Sequence, residues 1–104
     1  MYENDQGVEQ DDQQTVKLYR FSAHQGNADA QYRLGMMYVN GEGVPQDDLE
    51  AYKWLSLSVS HGDRTAIKAR DQVTAKMTPS QISQAQKLAR EWKQKREALL
   101  EKTR

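Results

Sequence analysis

The chain has 104 residues, one domain's worth. A mean hydropathy of −0.99 with 37% hydrophobic residues favours narrow apolar stripes over a thick globular core. Its 15 basic and 15 acidic side chains cancel, so net charge points to neither nucleic acid nor a membrane surface; the lack of cysteine excludes a disulfide framework and a thiolate zinc site.

The first element is half of an internal echo. MYENDQGVEQDD at 1–12 returns as MYVNGEGVPQDD at 37–48, an offset of 36 positions. Lys17 and Lys53, Ser22 and Ser58, Gly26 and Gly62, and Ala30 and Ala66 keep the same offset. A period of this length marks a solenoid, in which each unit buries its apolar face against the next. Residues 1–26 therefore read as a partial repeat, a loop followed by a second helix. The helix that should precede Met1 and Tyr2 is missing, so a fragment of a longer array is expected. Val8, Val16 and Leu18 would then lack an upstream neighbour, and that truncated face is expected to self-associate.

Residues 27–62 form the complete copy. Ala30, Leu34, Met37 and Tyr38 recur at helical spacing and predict one apolar stripe. Gly35 sits inside that stripe, which suggests a close helix approach. Asn40-Gly41-Glu42-Gly43 stops the helix, and Val44 is expected to plug the gap between two helices. Asp47 and Asp48 suit a helix start, where free N–H groups want an acceptor. Ala51, Trp54, Leu55 and Val59 then predict the second helix, ending at His61-Gly62.

Residues 63–104 hold a degenerate repeat helix and a capping helix. Asp63 or Arg64 starts the former. Thr78, Pro79 and Gln81 have the spacing of a capping box with proline at the first helical position. Ile82, Ala85, Leu88, Ala89 and Trp92 make a stripe expected to pack on the helix around Ala66, Ile67 and Val73. From about Glu97 onward the chain is expected to fray or project into solvent.

Charge is unevenly spread. Residues 1–14 carry Glu3, Asp5, Glu9, Asp11 and Asp12 with no side-chain cation. Residues 81–104 are rich in Lys and Arg, including Lys93, Lys95 and Arg96. Two solvated faces would explain this, as would a head-to-tail contact or a basic tail meeting an acidic partner. With Trp92 the lone aromatic beside the basic run, nucleic-acid binding is not expected.

No catalytic spacing stands out. His24 and His61 each lie close ahead of a glycine at a helix end, where a cation complements the dipole. The pairs Asp11-Asp12 and Asp47-Asp48 recur at one place in the repeat, as helix caps do, and adjacent carboxylates diverge. No metal and no cofactor are expected. No apolar run is long enough for a membrane span, so no membrane insertion is expected.

The pattern Ala30-Gln31-x-x-Leu34-Gly35-x-Met37-Tyr38-x-x-Gly41-x-Gly43-Val44-x-Gln46-Asp47, followed by Ala51, Trp54 and Gly62, resembles the Sel1-like repeat. That family is related to the tetratricopeptide repeat. There are departures: Asp5 stands at the position of Gly41, Thr15 at that of Ala51 and Leu18 at that of Trp54. The resemblance implies an all-α, right-handed α-α superhelix (solenoid) with a C-terminal capping helix. It implies a non-catalytic scaffold or adaptor that binds a protein or peptide on a concave face lined by the first helices. The motif positions Ala30, Leu34, Gly35, Tyr38, Gly41, Gly43, Val44, Asp47, Ala51, Trp54 and Gly62 would be structural. Asp29, Arg33, Met36 and Val39 lie between them and are left to meet the partner. Two other readings are a structural cap of a longer array, with binding done upstream, and a hydrolase using His24 or His61. Some relatives with repeated cysteine pairs are linked to penicillin-type ligands; without cysteine that does not carry over. The compartment is open from the residues, and the resemblance leans to an exported bacterial protein.

Overall fold

A computed structural model of the chain describes residues 4–102, with side chains from Gln13 onward. Five α-helices follow in order: α1 (Asn4–His24), α2 (Ala28–Asn40), α3 (Asp48–Ser60), α4 (Thr65–Thr74) and α5 (Pro79–Lys102). Among the described residues there is no strand. The radius of gyration is 14.6 Å, above the ~13 Å of a compact domain this long, as suits a flat stack of helices.

The repeat is visible in the turns. Asn27 N–H donates to Ser22 O at 3.2 Å, and 36 residues later Asp63 N–H donates to Ser58 O at 3.0 Å. Gly26 and Gly62 both have positive φ, 92° and 107°. The same local chemistry thus closes α1 onto α2 and α3 onto α4. The caps follow the sequence. Asn27 Oδ1 accepts from Ala30 N–H at 2.8 Å and starts α2. Asp47 Oδ1 accepts from the N–H groups of Leu49 and Glu50 and starts α3. Asp48 does not cap; it accepts from Gln46 Nε2 and lies 3.9 Å from Lys76 Nζ. Asp63 Oδ1 accepts from Thr65 N–H at the start of α4. The capping box closes reciprocally, with Thr78 N–H donating to Gln81 Oε1 and Gln81 N–H to Thr78 Oγ1.

The core lies between α2 and α3. Leu34, Ala51, Leu55 and Leu57 are fully buried, Trp54 nearly so, and Val44 is half-buried against them. Gly35 faces Leu55 so closely that a Cβ would lie 2.8 Å from Leu55 Cγ, which is why the motif wants glycine. The first helices α2 and α4 touch, and α5 packs on α3.

The structure departs from the sequence reading in four places, the simplest being Val16, which was expected to lack a covering neighbour but is only 5% exposed within the core. The loop expected in the first copy is absent, because α1 is already helical at Asn4. In the second copy the chain breaks at Gly41, whose φ of 68° is strained for other residues, and at Pro45, which has no N–H. Asp5 and Glu9 replace them, so nothing stops the helix. Asp11-Asp12 therefore lie within α1 rather than at its start. Met1, Tyr2 and the side chain of Val8 lie outside the described residues.

The capping helix is another departure. α5 packs on α3, not chiefly on α4. Its buried residues are the small Ala85 and Ala89, which allow close approach, while Ile67 on α4 stays exposed. Finally, the chain beyond Glu97 does project, but as a helix that continues to Lys102.

Candidate functional site

Two surfaces gather side chains with binding chemistry. The first is a shallow cleft of about 340 Å³ between α1 and α2, lined by Tyr19, Tyr32, Arg33, Met36, Met37 and Glu42. Helical spacing puts Tyr32, Arg33, Met36 and Met37 along one side of α2. Arg33 and Met36, both singled out in the sequence, therefore share a wall. Asp29 does not line the cleft; its carboxylate accepts from Arg33 Nε at 3.0 Å. That bond and charge, with Tyr19 adding to them, hold the Arg33 pKa above its ordinary value. Val39 is half-buried against the core and is not in the lining. Tyr19, Tyr32 and Glu42 did not stand out in the sequence, because no spacing ties α1 or the loop after α2 to Arg33.

The second surface surrounds Trp92. The Trp54 and Trp92 rings meet edge-to-face with centroids 5.7 Å apart, and His24 stands 5.1 Å from Trp54. Trp92 Nε1–H donates to His24 Nδ1 at 3.2 Å. Arg96 donates to the carbonyl oxygens of His24 and Gln25, so α5 is tied to the end of α1. His61 lies on the other side of Trp92, at 6.4 Å. Its Nδ1 bonds Gln31 Oε1 at 2.9 Å, and Gln31 Nε2 donates to Ala23 O at 3.0 Å. The fully buried Gln31 thus links α1, α2 and the end of α3. Its place in the motif was visible; this role was not.

Both histidines are pushed toward the neutral form. Burial, then the fields of Lys53, Arg20 and Arg96, outweigh Glu50 and lower the His24 pKa below 6.5. Burial, then Lys93 and Arg96, lower that of His61 despite a hydrogen bond with the Leu57 backbone. The Trp92 bond also needs His24 Nδ1 unprotonated. Just below pH 6.5 the unfolded chain therefore binds more protons than the folded one. Their contribution to stability is whole above that pH and is lost as the pH falls through the lowered folded values. Denaturant midpoints should drop between neutral pH and about pH 5, and the double variant His24→Gln/His61→Gln should show a shallower drop.

His24 and His61 are engaged by Trp92 and Gln31, and no carboxylate hydrogen-bonds either ring among the described residues. Nor does any group of three His, Cys, Asp or Glu there converge as metal ligands.

The chain matches the family model of the Sel1 repeat twice, over residues 1–27 and 28–63. It belongs to the Sel1 repeat family. No curated protein matches it. Sel1 repeats are helical-repeat solenoids, generally act as protein–protein interaction modules, and are typically non-catalytic. Among the described residues, no helix is long and apolar enough to cross a membrane.

Proposed function

We propose that this Sel1-repeat chain is an adaptor that holds a partner segment in the α1–α2 cleft. The observation that carries this reading is the meeting of Arg33 and Met36 with two tyrosines and Met37 around one cleft. Methionine adapts its shape to a ligand, tyrosine offers area with a polar tip, and arginine recognises carboxylates. The repeat supports a helical occupant. Tyr19 stands at the repeat position of Leu55, and α2 covers Leu55 by presenting Gly35. A partner helix with a small residue over Tyr19 and an acidic residue near Arg33 fits the same mould.

A displayed library of helical peptides tests this. The wild type should enrich peptides with that pairing, and Arg33→Glu should weaken them by at least about tenfold without changing helicity. Met36→Asp should act likewise. Equal binding by both variants removes the cleft from consideration.

A further inference from the structure

We propose that α1 is also a self-association face. Two copies pair α1 against α1, antiparallel, about Leu18 and Phe21. The acidic N-terminal half of each α1 then lies over the basic α5 surface of the other copy.

Leu18 and Phe21 are 70% and 69% exposed, unusual for large apolar residues on a packed helix. Their repeat positions one unit later are Trp54 and Leu57, which are 1% and 0% exposed. There the fold covers the face with other helices, and Trp92 of α5 lies on Trp54. The same face on α1 is therefore of a kind that a helix buries. Next to it, His24, Trp92, Lys95, Arg96 and Leu99 line a groove of about 410 Å³, in which Leu99 is itself 63% exposed.

Charge selects the occupant. The groove is rimmed by Lys95 and Arg96, with Lys93 and one carboxylate, Glu97, on the adjoining side of Trp92. The first 14 residues of the chain carry five carboxylates and no side-chain cation, and α1 begins within them at Asn4. A net charge of zero leaves no overall repulsion between copies. The register also fits. An antiparallel pair centred between Leu18 and Phe21 sets Thr15 of one copy level with His24 of the other. Asp11 and Asp12 then fall within about one helical turn beyond, where Arg96 is tied to the carbonyls of His24 and Gln25. The contact is self-complementary under a two-fold axis, so it closes at a dimer.

Sedimentation velocity over a concentration series at low salt tests this. The wild type should form dimers that weaken as salt rises. Phe21→Glu and Leu18→Glu should be monomeric at every concentration, with helicity unchanged by circular dichroism because both sites are exposed. Lys95→Glu should weaken the dimer by at least about tenfold, and adding Asp11→Lys to the same chain should restore it. Arg33→Glu should leave the dimer intact, which separates this face from the α1–α2 cleft. A wild type that stays monomeric overturns the proposal. So do dimers that persist in both Glu variants, or open-ended polymers in place of dimers.

Discussion

Trp54→Ala should lower stability by about 3–5 kcal/mol, a large share of what holds a domain of this size together. The ring is 1% exposed and sits where three helices meet. His24 from α1 approaches it edge-on, Trp92 from α5 packs against it, and Lys53 Nζ lies 4.6 Å from its centre. Removing it leaves a cavity and takes away the surface on which α5 docks. Denaturant unfolding followed by circular dichroism would read the loss as a lower midpoint. Trp54→Phe makes the cause separable. The indole Nε1 has no hydrogen-bond partner among the described residues, so phenylalanine gives up volume but no bond. It should retain most of the stability. A Phe variant as weak as the Ala variant would show that α5 needs the full indole volume and not merely an aromatic ring.

Gly35→Ala should destabilise the domain by about 1–3 kcal/mol, although in an exposed helix the same change stabilises by up to about 1 kcal/mol. The sign turns on one contact. The added Cβ would lie 2.8 Å from Leu55 Cγ, 2.9 Å from Leu55 Cδ2 and 3.3 Å from the Leu55 backbone nitrogen. Leu55 is fully buried and cannot swing away, so α2 and α3 must separate. Shortening the opposing side chain relieves the clash. In a double-mutant cycle, Leu55→Ala should therefore cost less in the Gly35→Ala background than alone. Additive losses would show that Gly35 is not held by Leu55.

Much of the fold was legible because it rests on short-range chemistry. The capping box at Thr78–Gln81, the Asp47 cap and the glycine turns each involve residues within a few positions, so spacing alone predicts their bonds. The loop that failed to appear in the first copy shows the same logic from the other side. A repeat position does not by itself break a helix, and Asp5 and Glu9 lack the backbone properties of Gly41 and Pro45.

The candidate site was legible only in outline. Arg33 and Met36 were visible as positions the motif does not use. Tyr19 joins them from another helix, and only the packing of α1 on α2 brings it there. The cluster of His24, Trp54, His61 and Trp92 draws on α1, α3, the turn after it and α5. No spacing in the chain relates His24 to Trp92, which are 68 residues apart.

By itself, the sequence determined the repeat, the helix-pair architecture and the need for glycine at Gly35, because periodicity and local capping act along the chain. The tertiary structure decided where α5 docks, which way the histidine pKa values move, and which apolar residues are left facing outward. Those outcomes depend on distances between helices far apart in sequence, and a pattern read along one dimension does not contain them.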